Sequence, residues 1–138
     1  MKSKVKLLKS RRNSYSTSKN LLMSFRYAFS GIKYTFKNSR NFKIQIIFAF
    51  FSLILGSISR LDQSDYLILL LTIFSVLIIE IFNTSIESLV DLVVKKKFSN
   101  LAKIAKDCSA GAVLLASINS VIIGLYLFIP KIKLLFLN

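Results

Sequence analysis

Glu80-Ile81-Phe82-Asn83-Thr84-Ser85-Ile86-Glu87-Ser88-Leu89-Val90-Asp91 closes a long apolar run and carries three of the six acidic residues in a chain of 138. From Tyr66 to Ile86, 21 residues pass with Glu80 as the only charge. On a helix at about 100° per residue, Glu80, Asn83, Glu87 and Asp91 fall within roughly 80° of arc. The stretch therefore reads as one polar stripe on an apolar helix. A carboxylate near a bilayer centre costs about 2.5–3.5 kcal/mol on insertion scales. A stripe of that cost is the candidate functional feature of the chain.

Two further apolar runs flank it. Ile44 to Ser59 is 16 residues without a charge, about 24 Å of helix at 1.5 Å per residue, short for a span unless its polar ends help. Cys108 to Ile129 is 22 residues without a charge, the clearest span. Pro130 is expected to end it, with Lys131 and Lys133 at the interface. The expected spans are thus residues 42–59, 66–86 and 108–129. Arg60 to Asp65 is a tight polar connection; the helix of the second span is expected to run on past Asp91 and end near Lys95-Lys96-Lys97, and Asn100 to Asp107 to form a further basic-polar helical turn or two. Gly111 and Gly124 are expected to allow close helix packing.

Before the spans, Leu21, Phe25, Ala28, Ile32 and Phe36 share a helical face, while Arg26, Lys33 and Lys37 lie opposite. That is the pattern of a helix lying in the membrane interface over residues 21–37. Packing of the same face on protein is the competing reading. Tyr27 and Tyr34 flank the stripe, where a phenol can meet a headgroup or a ligand. Met1–Asn20, rich in Lys, Ser, Arg and Asn, reads as a disordered cytoplasmic tail near anionic lipid. Its basic start has no compact apolar core followed by small residues, so no cleavable signal peptide is expected.

Composition agrees. Hydrophobic residues are 54% of the chain, while Lys and Arg outnumber Asp and Glu by 20 to 6; the mean hydropathy is +0.59. Apolar and basic together point to a small integral membrane protein, and the long uncharged runs argue against nucleic-acid binding. The chain has no His and a single Cys, which removes His-based catalysis, Ser-His triads, internal disulfides and multi-Cys metal sites. Twelve Lys/Arg precede Ile44, one lies in the first loop, five lie between Asp91 and Cys108, and two follow Pro130. The positive-inside rule then puts the N-terminus in the cytoplasm of a three-span protein. The fold class expected is an all-α integral membrane protein with a surface helix and three transmembrane helices.

Glu80, Glu87, Asp91, Lys103, Lys106 and Asp107 gather at the cytoplasmic ends of the second and third spans. Glu80 lies deepest, as a general base would. Glu87 lies two turns further out, where water and a divalent cation can reach; Mg²⁺ that also holds substrate phosphates suits such a ligand. Lys106 and Asp107 could hold a nucleotide. The competing reading is a packing network that pairs Glu87 or Asp91 with Lys103 or Lys106. The four glycines are scattered singly, so no glycine loop cradles phosphate.

The Glu80-x-x-Asn83-Thr84-Ser85-Ile86-Glu87-x-x-Val90-Asp91 pattern, followed by Ala102-Lys103-Ile104-Ala105-Lys106-Asp107 and Gly111-Ala112-Val113, closely resembles the prokaryotic diacylglycerol kinase family. The resemblance runs from about Leu21 to Lys133. Lys103 to Asp107 and Pro130-Lys131-Ile132 resemble the Gram-positive branch, whose members phosphorylate undecaprenol. The resemblance implies a homotrimer of three-span subunits, with active sites shared between subunits at the cytoplasmic face of the bacterial membrane. There ATP with Mg²⁺ would phosphorylate a lipid hydroxyl. It implies Glu80 as the base, Glu87 as the metal ligand, and Tyr27, Asn83, Lys106 and Asp107 around the nucleotide.

Two departures stand out. The family's second metal-binding glutamate, in a Glu-x-x-Phe pattern, is replaced by Ser39 in Ser39-Arg40-Asn41-Phe42. The loop Lys95 to Asn100 lacks the family's acidic-Tyr-His sequence. Ser39 motivates an alternative, a catalytically impaired relative acting as a membrane scaffold or regulatory subunit. A proton relay through Glu80 is the third reading, opposed by the absence of internal repeats.

Overall fold

The computed structural model describes residues 21–95 and 97–137, with side chains described as far as Lys133. The expected tail Met1–Asn20 lies outside the described residues. Among the described residues are four helices and no strand: α1 Leu21–Asn38, α2 Arg40–Ile58, α3 Gln63–Val94 and α4 Asn100–Leu137. They divide into two units between Tyr34 and Thr35. The first holds most of α1, whose Leu21, Phe25, Phe29 and Ile32 are all exposed.

The second unit contains α2, α3 and α4, each long and apolar enough to cross a membrane. The all-helical, three-span reading of the sequence is therefore what the chain adopts. Neighbouring helices run antiparallel, because Ser39 at the start of α2 meets Glu80 while Gly56 near its end faces Leu69. Likewise Lys106 meets Asp91 near the start of α4, and Lys131 meets Asp62 near its end. Most large apolar side chains on all three helices are exposed in the single chain. That is the expected surface of a protein whose solvent is lipid.

Local chemistry sets the helix ends. Ser39 caps α2: its backbone is extended at φ −89° and ψ 123°, and its hydroxyl accepts the Phe42 N–H. A serine in this place satisfies one of the orphan amides of a helix start. The same residue's N–H donates to the Thr35 carbonyl at 2.8 Å, so one residue ends α1 and begins α2. At the other end of α2, Arg60 adopts the left-handed conformation at φ 50°. The Leu61 and Arg60 amides return to the Gly56 and Ser57 carbonyls at 3.1 and 3.3 Å, the paired bonds of a Schellman stop. Leu61 can fold back because Gly56 has no side chain; a Cβ there would meet Leu61 Cδ1 at 3.1 Å.

Two expectations change. Pro130 lies inside α4 and does not end it. Proline loses one backbone hydrogen bond, but membrane helices tolerate it when the freed carbonyl finds another partner or local geometry adjusts. The helix ends between the second and third spans fall where expected: α3 runs on past Asp91 to Val94, just before Lys95, and Asn100 to Asp107 is helical, continuous with the third span in α4. Finally, a Cβ on Gly111 or Gly124 would meet open space within the chain, and the glycine in close contact is Gly56.

Candidate active site

Glu80 is the most buried large side chain described, at 1% exposure. It sits in the middle of α3, about 25 Å along the helix from Gln63. Its carboxylate is held from α2. Ser39 Oγ donates to Oε1 at 2.6 Å, and Gln45 Nε2 reaches Oε2 at 3.5 Å. Both contacts come from donors on the α2 side. Thr84, one turn on, donates to the Glu80 carbonyl at 3.0 Å. Ser39 therefore does three things at once: it ends α1, caps α2 and holds Glu80.

A second chain of bonds lies one turn further along α3. Ser109 of α4 shares its hydroxyl proton between Asn83 Oδ1 at 2.7 Å and the Lys106 carbonyl at 2.9 Å. With its oxygen so engaged, the Asn83 amide turns its NH₂ to Glu87 Oε1 at 3.1 Å. Asn83 and Ser109 are buried, while Glu87 is exposed. The gradient from buried Glu80 to open Glu87 spans two helical turns, about 10 Å.

Lys106 and Asp91 form an ion pair at 2.6 Å, with side-chain exposures of 37% and 56%. At that exposure it contributes little to stability and leaves Lys106 available to exchange partners. Asp107 is exposed. Tyr27, on α1, is exposed and belongs to the unit before Thr35. The structure thus joins Glu80 to Ser39, Asn83 to Glu87, and Lys106 to Asp91. Ser109 and Gln45 were not singled out in the sequence. Ser109 lies three residues after Lys106, and Gln45 interrupts the apolar start of α2; their partners lie 26 and 35 residues away.

Among the described residues no group of three or more Asp, Glu or Cys is placed to hold a metal ion. Glu87 offers one exposed carboxylate, steadied by the Asn83 amide. Mg²⁺ commonly takes one or two carboxylates and completes its shell with phosphate oxygens and water. The donor set at Glu87 fits a magnesium ion that arrives with a nucleotide.

Three helices long and apolar enough to cross a membrane, with a buried carboxylate held between two of them, define a multi-pass membrane protein. Residues 26–128 match the model of the family described as prokaryotic diacylglycerol kinase. The chain is 44% identical over 122 residues to a diacylglycerol kinase of Synechocystis, covering 88% of this chain and 70% of that protein. It is 40% identical over 109 residues to an undecaprenol kinase of Bacillus subtilis, covering 79% and 88%. A diacylglycerol kinase of Helicobacter pylori J99 is 34% identical over 100 residues, covering 72% and 77%. The chain belongs to the prokaryotic diacylglycerol kinase family, whose members are lipid kinases.

Proposed function

We propose that this protein transfers the γ-phosphoryl group of ATP, with Mg²⁺, to the hydroxyl of a lipid alcohol at the cytoplasmic membrane face, with undecaprenol as the first candidate and diacylglycerol as the second. The observation that carries the reading is Glu80, fully buried yet held by two donors from α2. A base so placed can take the proton of a hydroxyl that enters from the lipid side. Phosphoryl transfer otherwise needs positioning and charge neutralisation. Glu87 would hold the magnesium ion, whose contribution is to neutralise phosphate charge. Asn83, locked by Ser109, orients Glu87. Lys106 would leave Asp91 for phosphate, with Asp107 beside it. Tyr27 enters the proposal on the resemblance alone.

Relatives are named for each lipid, three for diacylglycerol and one for undecaprenol. The resemblance of Lys103 to Asp107 and of Pro130-Lys131-Ile132 to the Gram-positive branch puts undecaprenol first. The proposal includes a cytoplasmic N-terminus, from the distribution of Lys and Arg, and a homotrimer with shared sites.

A specific observation supports a second reading. Ser39 stands where the family carries a metal-binding glutamate, and its hydroxyl proton is committed to Glu80. An impaired kinase retained as a scaffold or regulatory subunit would fit that commitment. A side-by-side assay of undecaprenol and diacylglycerol with Mg²⁺ titrated separates the two. Lipid phosphorylation by the wild type is the expected result. No transfer by the wild type, with transfer restored by Ser39→Glu, makes the chain a degenerate kinase.

A further inference from the structure

Gln45 Oε1 is the one buried side-chain oxygen or nitrogen without a hydrogen-bond partner among the described residues. It belongs to the residue whose Nε2 reaches Glu80. A buried acceptor left unpaired is unfavourable, and each such atom calls for an explanation. Turning the amide over would set Oε1 against the Glu80 carboxylate, oxygen on oxygen. Glu80 therefore fixes which way the amide faces, and the acceptor must look elsewhere for a donor.

Its position narrows the choice of donor. Lys43, the last charged residue before the charge-free run of α2, keeps its ammonium on the Lys37 carbonyl at 3.3 Å. Gln45 is two residues further in, at the boundary between the charged interface and the apolar span. A lipid alcohol presents its hydroxyl at this boundary. The amide oxygen and nitrogen of glutamine are about 2.2 Å apart, from amide bond lengths, so a hydroxyl on Oε1 is a neighbour of the carboxylate on Nε2. We infer that Gln45 Oε1 receives the hydroxyl of the acceptor lipid and selects an alcohol over the same lipid without a donor.

This deepens the reading of Glu80 as the base and rests on it for the chemical step. In that step the lipid O–H bond breaks toward Glu80, the new O–P bond forms, and the bond to the β-phosphate breaks to release ADP. Gln45 exchanges no proton. In the bound alcohol the single hydroxyl proton rests on Gln45 Oε1, and the O–H turns from Oε1 to the Glu80 carboxylate before it breaks, while Nε2 keeps Glu80 oriented.

The experiment measures equilibrium binding of undecaprenol and of its methyl ether to the purified full-length chain in detergent micelles, with diacylglycerol and its methyl ether in parallel. Wild type is expected to prefer at least one alcohol over its ether by about 3–10-fold, the range of one neutral hydrogen bond. Gln45→Leu should abolish that preference, and Gln45→Met does the same job should the leucine variant fail to fold. In turnover, the variants should raise KM for the lipid and leave KM for ATP unchanged. Equal affinity of alcohol and ether in the wild type overturns the inference, and so does a preference that survives in a folded variant. Glu80→Gln separates this inference from the one it rests on. A rate untouched by that change removes the base assignment, while the alcohol preference is still decided by binding.

Discussion

Where α2 turns into α3, Leu61, Leu69 and Leu127 close an apolar core packed by Leu53, Tyr66, Ile73, Ile123 and Phe128. Lys131 ties α4 to this turn through Asp62 at 2.6 Å and Asp65 at 3.7 Å. At the opposite end of α2, the contacts between helices are polar: Ser39 and Gln45 on Glu80, Ser109 on Asn83, Lys106 on Asp91. The first end uses close packing, which is insensitive to a ligand. The second uses directed bonds, several of them exchangeable for bonds to a substrate. Helix association in lipid draws on both means, and this chain weights them differently at its two ends, with the Lys131 ion pairs as the polar part of the first.

The comparison makes opposite demands on substitutions at the two ends. Glu80→Gln should have the largest effect. It removes the proposed base while keeping the size of the side chain, and kcat for lipid phosphorylation should fall about 10²–10⁴-fold, with secondary structure unchanged. A variant that retains its rate would show that the polar end does not carry the chemistry assigned to it. Leu127→Ala tests the apolar end. Leu127 is 3% exposed, and truncation should lower stability by about 2 kcal/mol, the low end for buried leucine, since in lipid the packing part of the loss remains and the transfer part fades. Unfolding in mixed micelles measures it, and kcat of the folded fraction should stay at the wild-type value. The smallest effect is expected at Arg60. A non-glycine residue in the left-handed region is strained by about 1 kcal/mol, so Arg60→Gly should stabilise the turn by up to that amount. A loss of stability instead would mean that the Arg60 side chain contributes more than its backbone strain removes.

The apolar architecture was legible because lipid imposes a simple rule: every backbone group must be satisfied within the segment. Three long apolar runs, two without a charge and one with Glu80 alone, therefore meant three helices. The end of α3 was legible too, since the lysines from Lys95 on mark where it stops, at Val94. Pro130 misled, because it stops a helix less firmly in lipid than its behaviour in water suggests. At the site, the stripe of Glu80, Asn83, Glu87 and Asp91 followed from helical period alone. Its partners did not. Ser39 meets Glu80 across 41 residues, and Ser109 meets Asn83 across 26; no periodicity within one helix encodes such a meeting. Ser39 drew notice as a missing acid, whereas its hydroxyl serves as a helix cap and a donor.

The hydroxyls along α3 bear on how such a span enters a bilayer. Thr72, Ser75, Thr84, Ser85 and Ser88 each donate to the carbonyl one turn back, at 2.7 to 3.0 Å. A residue-by-residue hydropathy scale counts each of them against insertion, although its proton already has a partner inside the same helix. α3 can thus pass into lipid as a largely self-contained rod. The polar groups that look to another helix are then few, chiefly Glu80 and Asn83, and the order of events follows: the span inserts first, and the site forms when α2 and α4 close on those two side chains.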